Sequence, residues 1–408
     1  MFRELAVSAA ALAFALSAAA PADAADMKMV GKDLVFQAQA GERNAVEIYT
    51  ENDEITWPDG RERNGTYLFV SDSFADLTFG DGCLPVNDTL GGANKIACII
   101  TEQVGRNTVA TANRIVFNLA DGDDSLNHKM NVRFGYLADG GSGNDTIHGG
   151  SEFSNTLVGG AGNDKLVGGD NNDKISGGAG SDVIEAEGSN DVISGGAGND
   201  EMYGGAGADL IQGGAGHDMM RGDDGSGGAG STSGFFDDVF EGGDGSDTVI
   251  YDDHGTEQPV RADADGSAND GTSKEHDNIG PDVENLTGGN GDDTLIGDDE
   301  RNVLLGGNGN DSISGLGAKD RIDGQFGDDQ LSAGAGDDDV KGSGGDDQLS
   351  GGAGKDTLQG GDGDDRINAQ DVKPTRDRVS CSNGNDTVTR DRQDRINKSH
   401  ACEKVRKP

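Results

Sequence analysis

The sequence predicts an all-β fold: a parallel β-roll, a right-handed solenoid of nonapeptide repeats, with a β-rich N-terminal cap and a short C-terminal cap. Three observations predict it. The stretch "GGAGNDKLVGGDNNDKISGGAGSDVIE", residues 159–185, divides into nines that begin with Gly-Gly, carry Asp sixth and place an aliphatic residue eighth. This register is kept by about eighteen units. The composition then excludes the ordinary alternative, because 408 residues with 70 glycines, 33% hydrophobic and 5% aromatic content cannot fill conventional globular cores. Such a composition alone reads as disorder, and only the periodicity argues against it.

Residues 1–25 read as a signal peptide. Arg3 precedes an apolar run from Leu5 to Ala20, and small residues at Ala22-Asp23-Ala24 suit cleavage. The run is short for a membrane span of about 20 residues, so export is expected rather than anchoring. An exported chain with four cysteines, Cys83, Cys98, Cys381 and Cys402, suggests two disulfides. Three pairings are possible, and proximity favours Cys83–Cys98 and Cys381–Cys402.

Residues 26–118 contain short β-rich runs, among them "DLVFQAQ", "TYLFVSD" and "RIVFNLA", separated by Gly, Asn and Asp. They read as the N-terminal cap, with an independent ligand-binding β domain as the alternative. The first repeat block is expected over 119–250. Its sixth-position acids are Asp145, Asp164, Asp173, Asp182, Asp191, Asp200, Asp209, Asp218, Asp238 and Asp247, with Asn155 in one ten-residue unit. An insertion at 251–287 is read as a loop that interrupts the stack. The second block, 288–370, carries Asp293, Asp311, Asp320, Asp329, Asp338, Asp347, Asp356 and Asp365, with Asn302 in one unit. The tail, 371–408, keeps a worn Asp-x-aliphatic pattern at Asp377, Asp386 and Asp394 and reads as a basic cap, which solenoids need.

The pattern has a physical logic. Glycine permits positive φ and close backbone approach. A short strand such as Lys165-Leu166-Val167 points its middle side chain to one face. Leu166, Ile175, Ile184, Ile193, Met202, Ile211 and Met220 then share an interior. Two nonapeptides make one coil, so Asp164 stacks on Asp182 and Asp173 on Asp191. Carboxylates about 4.8 Å apart repel by about 3 kcal/mol at an effective dielectric near 20. Residues 140–370 hold 49 acidic against 11 basic side chains, nearly all of the net charge of −43. That excess argues against nucleic acid and anionic membranes and calls for cations. Ca²⁺ suits carboxylates and turn carbonyls together, whereas Mg²⁺ demands an octahedron and keeps its water. Folding and metal binding are therefore expected to be coupled.

The G-G-x-G-x-D-x-U-x pattern, U being a large apolar residue, resembles the RTX or hemolysin-type calcium-binding repeat family over roughly 140–370. The resemblance implies a calcium-bound β-roll whose sixth-position Asp residues are ligands for multiple Ca²⁺ ions. The units "AEGSNDVIS", "GDDERNVLL", "GLGAKDRID" and "GQFGDDQLS" depart from the pattern, which puts metal affinity at those turns in question. The tail and the signal peptide resemble small secreted calcium-binding proteins of actinobacteria.

Relatives in that family often carry an enzyme domain, but the sequence offers no catalytic motif. HExxH, GxSxG and a phosphate loop are missing, and His128, His148, His217, His254, His276 and His400 are scattered. The expectation is a secreted, non-enzymatic calcium-binding protein. A rigid scaffold for cell-surface adhesion, with an unknown surface or matrix partner, is the alternative, and a secreted hydrolase comes after it. The segment "DADGSAND", 263–270, resembles half a calcium loop but lacks the closing Glu of an EF-hand. The Arg221-Gly222-Asp223 triplet arises where a ninth-position Arg meets a repeat start.

Overall fold

The computed structural model describes the strands between 26 and 110, residues 114–128, 135–222, 236–372 apart from 253 and 257, 375–397, Cys402 and 404–406. The expected signal peptide lies outside the described residues. The chain divides into two compact units, residues 1–186 and 187–408. All the regular structure described is β-strand.

In the first unit, one face is a parallel sheet of Asp33–Gln37, Arg114–Asn118, Tyr136–Ser142, Thr156–Ala161 and Lys174–Ala179. A second face pairs Ala45–Thr56, Ser125–His128, Thr146–His148 and Lys165–Gly169, again parallel. The N-terminal segment is continuous with these faces. Ala45–Thr56 also pairs antiparallel with Glu62–Asp72, which continues through Lys95–Val104 to Asn107–Ala110. Cys83 and Cys98 stand directly opposite each other across antiparallel strands.

The interior follows the eighth-position rule. Phe36, Phe117, Ala138, Leu157 and Ile175 lie in register across the first face, each 0–1% exposed. The bulky members sit at the N-terminal end, where Phe117 meets Phe36 at 6.0 Å and Tyr136 edge-on at 5.5 Å. Aromatic volume thus closes an end that would otherwise open the apolar file to water. Ile184, Ile193, Met202, Ile211 and Met220 are equally buried, each contributing about 1.5–3 kcal/mol of apolar burial.

Some strands, such as Thr146–His148 and Thr248–Ile250, have the three residues expected, and others are longer. Lys174–Ala179 and Thr156–Ala161 run on through Gly-Gly into the turn. The neighbouring coil is what extends them: Gly160 and Gly178 pair just as Leu157 and Ile175 do.

In the second unit, one parallel sheet runs from Glu201–Tyr203 through Thr248–Ile250, Asn285–Thr287 and Val303–Asn308 to Arg378–Asn383 and Arg395–Ile396. A second sheet carries Val192–Ala197, Leu210–Gly216, Val239–Gly245 and Asn278–Ile279. A third begins with Val260–Asp263 and continues through Thr294–Ile296, Gln330–Ala335 and Arg366–Ala369 to Lys404–Arg406. The 251–287 insertion is therefore not a plain loop. Asn278–Ile279 ends the second sheet, Val260–Asp263 starts the third, and Asn285–Thr287 keeps the first unbroken. The tail likewise continues the coils. Cys381, fully buried, bonds to Cys402 with a Cα–Cα distance of 5.4 Å.

Candidate metal centre

The sixth-position acids form files at the turns. Asp311 donates its backbone N–H to Oδ1 of Asp329 at 2.8 Å, and Asp329 does the same to Asp347 at 2.9 Å. Asp293 to Asp311, Asp347 to Asp365, Asp320 to Asp338 and Asp338 to Asp356 repeat the bond at 2.8–3.1 Å. In the first unit Asp145 bonds to Asp164 and Asp164 to Asp182. Asp191 to Asp209, Asp200 to Asp218, Asp209 to Asp238 and Asp218 to Asp247 complete the pattern in the second. Asp173 occupies the same place, its Oδ1 accepting from Asn155. Every one of these acids is 0–3% exposed.

One oxygen is thus satisfied and the other is not. Oδ2 of Asp145, Asp164, Asp218, Asp311, Asp329 and Asp365 is shut off from solvent without a hydrogen-bond partner. Burying such an atom uncompensated costs about 1–3 kcal/mol, more when charged. Carbonyl oxygens converge on the same place. A Cβ on Gly306 would sit 2.3 Å from Asp311 Oδ2 and 2.6 Å from the Gly324 carbonyl oxygen of the next coil. At Gly342 the matching distances are 2.1 Å to Asp347 Oδ2 and 2.5 Å to Gly360 O. The first glycine of each unit therefore clears a cradle of carboxylate and carbonyl oxygens, a donor set that fits Ca²⁺.

Two natural variants show the same cradle. In Asn155 the amide nitrogen takes the place of Oδ2 beside Gly149 and donates to Gly150 O at 2.9 Å, whereas in Asn302 the amide oxygen faces Gly297 and the nitrogen donates to Glu284 O at 2.9 Å. At Asn155 a hydrogen-bond donor thus replaces an acceptor in the cradle. Asp293 differs from its fellows, because the Gly289 N–H reaches its Oδ2 at 2.6 Å.

Burial dominates the electrostatics. It pushes Asp145, Asp311, Asp320, Asp329, Asp356 and Asp365 up to about 7, against partial relief from the backbone N–H bond. Asp182, Asp247, Asp293 and Asp347 rise to about 6 for the same reason. The sequence pointed to mutual repulsion as the main cost. Neighbouring carboxylates do raise these groups, but less than desolvation does, and the N–H that each Oδ1 accepts works against both.

Several residues of the files escape the nine-residue count. Asp238 donates to Oδ1 of Asp277 and Asp247 to Oε2 of Glu284, so the insertion supplies its own acids. The signal was present as carboxylate-x-aliphatic in Asp277-Asn278-Ile279 and Glu284-Asn285-Leu286. The tail extends the files through Asp377, Asp386 and Asp394. Fifth positions make a second, exposed file: Asp328 N–H bonds to Asn310 Oδ1, Asp346 to Asp328 and Asp364 to Asp346. In 263–270, both oxygens of Asp270 are taken by the N–H groups of Asp263 and Ile279.

Where the units lose glycine, the turn keeps its shape. Glu187, Ser189, Leu316, Ala318 and Gln325 all adopt φ between 58° and 76°, a region that costs a non-glycine residue about 1–2 kcal/mol. Among the described residues no helix is long and apolar enough to cross a membrane.

Comparison with known families matches the RTX calcium-binding nonapeptide repeat, in four-copy blocks, to ten stretches between 138 and 371, among them 150–184, 232–253, 305–340 and 341–371. A comparison with curated proteins finds no match to the chain.

Proposed function

The repeat region of this chain belongs to the RTX calcium-binding nonapeptide repeat family, and we propose from that premise that the protein is exported and folds by binding calcium outside the cell. Each ion is held by Oδ2 of the sixth-position Asp residues and by carbonyl oxygens of neighbouring glycine turns. The observation that carries this reading is the row of buried, unpartnered Oδ2 atoms beside carbonyls.

When bound, Ca²⁺ supplies positive charge to carboxylates that burial otherwise drives toward protonation. The chain supplies the rest. Oδ1 of Asp329 is fixed by the Asp311 N–H, which orients Oδ2. The first glycine leaves the space open, and the coil above contributes its carbonyl. Because most donors come from two successive coils, filling one turn orders the next, so binding is cooperative and coupled to folding. Extracellular calcium modules bind at about 0.1–1 mM, and the same range is expected here.

The described residues give the adhesion reading no support at Arg221. Its guanidinium bonds to Asp252 at 3.1 Å and lies 5.2 Å over the Tyr203 ring, so it is held against the roll rather than presented.

The test is far-UV circular dichroism of the metal-stripped chain titrated with CaCl₂ and, separately, MgCl₂. A sigmoidal gain of β-signal near millimolar calcium, weak with magnesium, supports the reading. A spectrum already β-rich in EDTA and indifferent to calcium refutes it.

A further inference from the structure

The regular register ends at the connector 369–377. The step from Asp356 to Asp377 is 21 residues rather than 18, and Ala369-Gln370 stand where a repeat would place Gly-Gly. Into this break the chain brings an acid from outside the repeat pattern, Asp371.

Its carboxylate is held in one orientation. The Thr375 backbone N–H and hydroxyl reach Asp371 Oδ2 at 2.9 and 2.7 Å. The Asp371 backbone N–H is itself anchored on Asp391 Oδ2 at 3.1 Å. The other oxygen, Oδ1, is shut off from solvent and has no hydrogen-bond partner. Asp356 and Asp377, each 1% exposed, also keep Oδ2 buried and unpartnered. One oxygen from each of the three residues lies within 4.8 Å of the other two.

Carboxylate oxygens so placed can share one Ca²⁺ shell. Oxygens sharing a Ca²⁺ shell at about 2.3–2.6 Å stand at most about twice that distance apart. Mg²⁺ is the poorer candidate on other grounds, because it keeps several waters and is seldom held by protein carboxylates alone. Three carboxylates so close, each with a buried unpartnered oxygen, fit one divalent cation.

We propose that Asp371, Asp356 and Asp377 form a distinct Ca²⁺ site that joins the glycine-turn repeats to the disulfide-closed coils of the tail. Its third carboxylate comes from a connector side chain, whereas the repeats rely on turn carbonyls. The consequence is mechanical: calcium seals the C-terminal end of the roll across the register break, where the repeat's own turn is missing. The proposal rests on the calcium reading above, and its test separates the two.

The full chain is compared as wild type, Asp371→Asn and Asp339→Asn, the last removing an exposed acid outside the cluster. Bound calcium per chain is counted by equilibrium dialysis at saturation, with matched far-UV spectra. The expected result is one ion fewer in Asp371→Asn than in wild type and Asp339→Asn. An unchanged count in Asp371→Asn overturns this site alone, while a wild type that binds no calcium overturns the calcium reading as well. A second measurement does not depend on the folding of that variant. Val372 is fully exposed, so Val372→Trp places a sensitiser next to Asp371. Terbium emission excited through this tryptophan and displaced by CaCl₂ supports the site; no sensitised emission overturns it.

Discussion

The backbone N–H of Asp311 donates to Oδ1 of Asp329, eighteen residues later, at 2.8 Å, while Oδ2 of Asp329 has no hydrogen-bond partner. The two halves of one carboxylate thus do different work. Oδ1 is part of the coil-to-coil ladder and helps to set the spacing. Oδ2 is held in place by that bond and left for a ligand.

Asp329→Asn separates these roles. The amide oxygen can keep the Asp311 N–H, and the amide nitrogen can donate to a turn carbonyl as that of Asn155 does to Gly150 O at 2.9 Å. The variant should gain about 1 kcal/mol without calcium, because a buried charge becomes a hydrogen bond. It should lose part of the calcium response. Far-UV circular dichroism is expected to show slightly more β-signal in EDTA and a smaller calcium-induced shift. A larger calcium shift than wild type would sink this account of Oδ2.

The pH dependence should have opposite signs in the two metal states. Burial raises Asp311, Asp329 and Asp365 to about 7, above the ordinary value of 3.8. A raised carboxylate binds its proton more tightly when folded. Its stabilising contribution is therefore complete below about pH 4 and lost as pH rises through 6–7. Metal-stripped protein should thus be most ordered in mild acid and least ordered at pH 8. With calcium the order reverses, since the ion needs ionised ligands and its affinity falls as pH drops through 7–6. Far-UV β-signal at pH 4.5, 6 and 8, with and without CaCl₂, checks both halves. Parallel trends in the two states would exclude the Asp files as the titrating groups.

Much of this was legible in the sequence because period nine maps one residue type onto one structural role. Leu166 and Ile175 were placed in the interior, and Asp164 under Asp182, by counting alone. What counting could not supply was position within a turn. That Oδ1 accepts an N–H whereas Oδ2 does not depends on backbone orientation, which no spacing encodes. The insertion misled for a different reason. Asp277 and Glu284 lie 39 and 37 residues beyond their donors, so a fixed period cannot link them, although each keeps an aliphatic residue two places on. Asp371 was invisible as a site because its partners are set by a register break.

The departed turns offer a stabilising change. Leu316 holds φ at 68° and is 48% exposed, so its side chain adds backbone strain and little core. Leu316→Gly should relieve about 1–2 kcal/mol of left-handed strain, offset by about 0.4–1 kcal/mol of unfolded-state entropy. A rise of about 1–4 °C in melting midpoint is expected. Gly306→Ala makes the opposite point, since its Cβ would lie 2.3 Å from Asp311 Oδ2. It should displace that carboxylate and lower both stability and calcium uptake. If Gly306→Ala binds calcium as wild type does, the first glycine is not what keeps the cradle open.

The bond between Cys381 and Cys402 should act locally. It closes a separation of 21 residues, a loop whose constraint is worth about 3 kcal/mol in the chain-entropy view. It holds the end of the chain where Lys404–Arg406 pairs with Thr387–Arg390. In a solenoid each coil contacts only its neighbours, so stability is transmitted along the stack in steps. The double variant Cys381→Ala, Cys402→Ala, studied in calcium, should exchange amide hydrogens faster over 387–406, then over 357–383. Protection over 303–335 should stay close to wild type. Faster exchange spread evenly from 303 to 406 would instead mean that the second repeat block and the tail unfold as one unit, and that the disulfide stabilises the whole block rather than its end.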